Sequence, residues 1–251
     1  MVWDRLPREL AAFAEQLGKE RSTERTADFI RTYSAKFDHD WRAGRTLRSE
    51  VNGAPIPPPR NQGLHPTGCS VSEAYIQFQF HLGDIDGDRE NVFPKRADFQ
   101  VRVLGILDLP DSIVELEDHW RVDTHRYEEN EPKEPREPHP LFHFQRGGRD
   151  QEGFATLDGF VPGKALPSRE GETWRGLLQS PGPRIPLPPM CPLLAIDFAI
   201  GQHDGLIWRR LRGIPEYRSI VQSAQMRLWT PLFDALISSQ TRRTWIGPLL
   251  I

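Results

Sequence analysis

A chain of 251 residues with 23 prolines, 20 glycines and a formal net charge of −3 is long enough to bury a sizeable core, and its proline and glycine content predicts long loops. The slightly acidic balance gives no general pull toward nucleic acid or an anionic membrane, and no apolar run is long enough to span a bilayer. Cys69 and Cys191 lie too far apart for a zinc pattern or a disulfide framework, and the opening MVWDRLPREL is charged and amphipathic rather than a secretory leader, so a reducing cytoplasm is the expected setting.

Residues 4–17 carry Leu6, Leu10, Phe13 and Leu17 at helical spacing, with Asp4 as the expected N-cap and Gly18 as the stop. A second periodic run covers 22–43. Phe29, Tyr33, Phe37 and Trp41 fall on one stripe, with Ile30 beside it, and pack on the rest of the domain. The pattern fits one long helix or two. Residues 51–68 read as an irregular connector, because prolines at 55, 57, 58 and 59 forbid regular helix.

The period then changes from 3.6 to 2. Residues 72–83 place Ala74, Ile76, Phe78, Phe80 and Leu82 on one face, and Tyr75, Gln77, Gln79 and His81 on the other. The loop that follows holds Asp84, Asp86, Gly87 and Asp88 but lacks the ligand spacing and terminal glutamate of an EF-hand, so an acidic turn is expected there. Residues 98–107 form a second strand and 112–124 a third, in which Val114, Leu116, Trp120 and Val122 alternate with Glu115, Glu117, His119, Arg121 and Asp123. A charged, proline-studded excursion at 126–138 leads to a fourth strand at 139–145, with Phe142 and Phe144 facing the core. Four strands with non-helical links predict an antiparallel meander.

Residues 146–192 are rich in glycine and proline, with 153–161 as one candidate strand. Residues 192–203 read as a buried helix. Residues 215–240 read as another, with Pro215 in its first position and an apolar stripe through Ile220, Ala224, Leu228 and Leu232; Pro231 is expected to kink or split it. The tail TWIGPLLI ends apolar. The expected fold is one α+β domain: N-terminal helices (1–48), a central antiparallel sheet of four or more strands (69–161) and C-terminal helices (190–240).

If the four strands share one sheet, its outer face gathers His81, Glu117, His119 and His143, joined by Gln77, Gln79 and Arg102. His139 and Gln145 lie on the same side. Imidazoles and a carboxylate brought together could hold zinc, with His119 and His143 as ligands and Glu117 as ligand or general base of a metal-dependent hydrolase. The outer face of a one-sided sheet is polar in any case, and no HExxH or nucleophile-elbow motif is present. The run 145–149, QRGGR, reads as a glycine hairpin turn whose cations could meet a phosphate or carboxylate. The basic clusters at 208–212 and 242–243 read as solvated helix faces, which makes nucleic acid the least expected partner, and Cys191 as a small apolar residue.

The stretches HPLFHFQRGG, RIPLPPMCPLLAIDFAIGQ and WRRLRGIPEYRSIVQSAQMRLW resemble uncharacterised bacterial proteins associated with gene neighbourhoods for ubiquitin-like conjugation and phage defence. The order of helix, strands, proline-rich segment and helices also resembles the ubiquitin-conjugating E2 or RWD-like fold. That family carries His-Pro-Asn shortly before its catalytic cysteine. Here His139-Pro140-Leu141 is followed by no cysteine until Cys191, so the resemblance implies a degenerate relative without E2 catalysis. The expected function is therefore a bacterial cytoplasmic accessory protein that binds a protein partner, with the metal-dependent hydrolase as the alternative.

Overall fold

The computed structural model describes residues 3–44, 47–60, 63–82, 94, 96–110, 112–124, 142–147, 174–178, 190–203 and 205–241. Outside them lie His139, the acidic loop at 84–93, the candidate strand at 153–161, the excursion at 126–138, the basic pair 242–243 and the tail. Among the described residues no helix is long and apolar enough to cross a membrane.

The N-terminal region is two helices, α1 (Leu6–Leu17) and α2 (Glu24–Arg42), separated by Gly18 and a short 3-10 turn at Arg21–Thr23. Gly18 does end α1, but in ordinary right-handed geometry. Asp4 does not cap it: Arg5 occupies the cap position, and an Asp4 carboxylate oxygen instead accepts a hydrogen bond from Trp41 Nε1 at 3.3 Å. A long-range partner has won over the local cap. Of the predicted α2 stripe, Tyr33, Phe37 and Trp41 are buried and Phe29 is partly so, while Ile30 beside it is fully buried.

Among the described residues six strands form one sheet: β1 (Arg48–Pro55), β2 (Ser70–His81), β3 (Arg96–Leu109), β4 (Ser112–Thr124), β5 (Phe142–Arg146) and β6 (Trp174–Leu177). The order β1-β2-β3-β4-β5 is antiparallel throughout, so the meander is correct. β6 pairs parallel to Val114–Glu117 of β4, next to the stretch that β5 occupies on that strand. Two strands depart from expectation. β1 takes up the first part of the supposed connector. Its Pro55 sits at the end of an edge strand, where a missing N–H interrupts no ladder. Gly53, at φ 151°, lies in the register shift between Val51 and Ala54. β6, four residues long, is too short to leave a periodic signal.

Period 2 decides the two faces. Ala74, Ile76, Phe78 and Phe80 of β2, Phe99, Val101 and Val103 of β3, and Val114, Leu116, Trp120 and Val122 of β4 all point to one side and are buried. Gly105 belongs to this face. A Cβ there would lie 2.9 Å from the Ser70 carbonyl oxygen and 3.3 Å from Leu178, which is why no side chain fits. The helices pack on this side. Trp3 meets Phe80 edge-on at 5.5 Å, Tyr33 meets Phe78 at 5.1 Å, and Phe198 meets Trp120 at 5.7 Å.

Phe198 belongs to α3 (Pro192–His203), which α4 (Gly205–Gly213) and α5 (Pro215–Thr241) follow. α5 is not split at Pro231. Proline removes one backbone donor, and Ala224, Leu228 and Leu232 keep one apolar face buried across it. The C-terminal helices are tied together by Asp197 of α3, which accepts from Arg212 Nη2 of α4 at 2.6 Å and from the Tyr217 hydroxyl of α5 at 2.7 Å. Arg227 of α5 pairs with Glu9 of α1 and closes the helical layer.

Candidate functional site

With the helices on one side, the outer face can be read as cross-strand rows. Arg48, His81 and Arg96 stand in one row. Glu50, Gln79 and Asp98 stand in the next, and Asp123 opposite His143 occupies the same level on β4 and β5. Then come Gln77, Gln100, Arg121 and Gln145, and after them Tyr75, Arg102 and His119. The next row holds Glu73, Leu104, Glu117 and Leu177. Basic, acidic and amide rows alternate.

The side chains pair across these rows. Arg96 pairs with Asp98, and Arg121 with Asp123 at 2.9 Å. Gln100 Nε2 donates to Gln77 Oε1 at 2.6 Å, and Arg121 Nε to Gln145 Oε1 at 2.8 Å. His143 Nε2 lies 3.2 Å from Asp123 Oδ2. His81 is held below the usual histidine range, first by burial and then by the cations Arg96 and Arg48 in its own row. Around the first three rows the twisted sheet forms a concavity of about 360 Å³, lined among others by Gln77, Gln79, Gln100, Asp98, Arg121 and Asp123.

Those of the sequence-predicted residues that are described, His81, Glu117, His119, His143 and Gln145, do share this face, but they do not converge. His143 stands opposite Asp123, four residues along β4 from His119, which is about 13 Å at strand rise. His81 lies in the first row, at the far end of β2. Glu117 is fully buried and grips Arg102 through both carboxylate oxygens, each at 2.7 Å. Gln145 serves Arg121. Among the described residues no group of three His, Cys, Asp or Glu is arranged to hold a metal ion. The expected solvated face also needs correction at this end, because His119 is 1 % exposed. Leu104 and Leu177 flank Glu117 in the register. The signal was in the sequence: the polar alternation of β3 stops at Leu104 and continues as Ile106.

No family model matches the chain, and no curated protein or solved structure matches it.

A second polar cluster sits where the alternation predicted only core. Asp118 has the same parity as Leu116 and Trp120 and points under the helices, 1 % exposed. Arg146 reaches it with Nε at 3.2 Å and Nη2 at 2.8 Å, so one cation of the QRGGR run, itself still exposed, is committed to a buried carboxylate. Gly147, at φ 73°, ends the described part of that run, and its N–H donates to the His119 carbonyl at 2.8 Å. His203, the last residue of α3, lies tilted against Trp120 with ring centroids 5.8 Å apart, and burial pushes its pKa down to about 4 against the pull of Asp118. The cluster at 208–212 is likewise not a purely solvated face: Arg212 lies over the Trp208 ring at 4.8 Å and pairs with Asp197. Cys191 is fully buried, with a thiol pKa raised to about 12, and packs as an apolar residue.

Proposed function

We propose that the chain is a binding protein whose protein partner docks on the outer face of the sheet. The observation that carries this reading is an apolar end on that face. Ile106, Ile113 and Leu177 are 37 %, 55 % and 41 % exposed, respectively. Ile106 stands opposite Glu115 and Ile113 opposite Asp108, so the two isoleucines are diagonal neighbours on adjacent strands. Exposed apolar groups beside a polar, internally paired surface are the composition of a docking site with a polar rim. A bacterial, cytoplasmic setting and a role beside ubiquitin-like conjugation or phage-defence components belong to this proposal. A degenerate E2 or RWD-like relative belongs to it too, and for that part the support is the order of helices, meander and helices. The zinc hydrolase reading draws no support from the spacing of His119, His143 and Glu117.

The test is co-expression with the products of neighbouring genes, followed by affinity measurement on any complex formed. Ile113→Asp is expected to weaken that complex at least about 30-fold, the factor matching a hot-spot loss of about 2 kcal/mol. Its unfolding free energy should stay within about 0.5 kcal/mol of the parent, as for other exposed positions. Met226, 68 % exposed on α5, supplies the control. A complex that survives Ile113→Asp and is lost in Met226→Asp would place the interface on the helices and overturn the proposal.

A further inference from the structure

The polar concavity lies at the other end of the outer face. Gln100 is six residues from Ile106 along β3, about 20 Å at strand rise, so what the concavity holds is a separate matter from docking at the isoleucines. We infer that it is a binding site for a neutral, hydroxyl-rich small molecule, a sugar or related polyol.

Charge is the first argument. The two cations that line the space, Arg96 and Arg121, are each paired with a carboxylate in the same lining, Asp98 and Asp123. The row beyond is basic and the row between is acidic, so a free anion meets Asp98 and Asp123, while a free cation meets Arg96 and Arg121. Neither sign is selected. Hydrogen-bonding capacity is the second. Gln77, Gln79 and Gln100 supply planar amides, and the paired guanidinium and carboxylate groups supply more flat donor and acceptor edges. Adjacent hydroxyls match such edges, because each hydroxyl both donates and accepts. Third, Gln77 and Gln100 spend part of their capacity on each other and on the Asn52 carbonyl, whereas Gln79 Oε1 is shielded from solvent and has no hydrogen-bond partner among the described residues. Such an acceptor calls for a donor. Finally, about 360 Å³ lies within the roughly 300–1,000 Å³ of small-molecule sites, toward the end suited to one or two sugar rings.

The experiment is isothermal titration of the full chain with glucose, N-acetylglucosamine, trehalose and myo-inositol, alongside inorganic phosphate, magnesium chloride and free arginine. At least one of the four neutral probes is expected to bind saturably, in the millimolar range or tighter. Gln79→Leu and Gln100→Leu should each weaken that binding at least tenfold, with unfolding midpoints checked to show that both variants fold. Ile113→Asp should leave it unchanged, which separates this site from the docking surface. Three results would overturn the inference: none of the four neutral probes binds, a charged probe binds more tightly than all of them, or both leucine variants keep the parent affinity.

Discussion

Replacing Arg212 with alanine is expected to lower the unfolding free energy by about 3–5 kcal/mol at neutral pH, read from urea denaturation. Asp197 is 5 % exposed and accepts hydrogen bonds from Arg212 Nη2, the Tyr217 hydroxyl and the Trp208 side chain. Burial raises the Asp197 pKa, opposed mainly by the charge of Arg212. Without that cation, a buried carboxylate keeps only neutral partners, Tyr217 and Trp208, and the contact of the guanidinium with the Trp208 ring is lost as well. The sign of the pH response follows. A carboxyl whose folded pKa stands above its unfolded value takes up a proton in the folded state first, so stability grows as pH falls through that folded value. The deficit of Arg212→Ala relative to the parent should therefore shrink on acidification. A loss below about 1 kcal/mol at neutral pH would mean that Arg212 does not hold the C-terminal helices together.

The second large effect belongs to His203. Its folded pKa is about 4, against 6.5 for the free side chain, with burial as the main cause. Between those values the unfolded chain binds a proton that the folded chain refuses, so stability falls as pH drops from 6.5 toward 4 and levels off below. The full span is about 3 kcal/mol, at about 1.4 kcal/mol per pKa unit. The charged groups facing this imidazole include Asp118 and, through it, Arg146. Asp118 favours the protonated form and burial outweighs it. Neither ring nitrogen of His203 has a hydrogen-bond partner among the described residues, so an apolar replacement strands nothing. His203→Leu should thus flatten the acid limb of the stability profile while changing stability at pH 8 much less. An unchanged acid limb in that variant would remove His203 from the account.

Much of the fold was legible because its periods are clean. The α2 stripe, buried at Tyr33, Phe37 and Trp41, and the alternation in β2 and β4 each bury one face, and repetition makes such patterns robust to the identity of any single residue. What escaped notice was set by long-range partners. Asp4 turned to Trp41 instead of capping its own helix. β1 hid behind its prolines, since an edge strand tolerates what a central one does not. Asp118 interrupts an apolar row, and its ion pair with Arg146, which arrives from β5, is a contact that no local pattern announces. For the candidate site, parity put His119 and His143 on one face correctly. Register, which parity does not contain, put them four residues apart along β4 and left each histidine in a different row.

The claim under all of this is that the helices pack on one side of the sheet and that the isoleucine end of the other side is open to a partner. Thiol labelling at neighbouring positions of β4 tests it most directly. Ile113 is 55 % exposed on the outer face and Val114 is 1 % exposed beneath the helices. In the full chain, the thiol of Ile113→Cys should react at close to the rate of an unstructured peptide, followed by mass spectrometry of its own peptide so that Cys69 and Cys191 do not interfere. The thiol of Val114→Cys should wait for unfolding. Equal rates at the two positions, or protection at 113 with fast reaction at 114, would contradict the account.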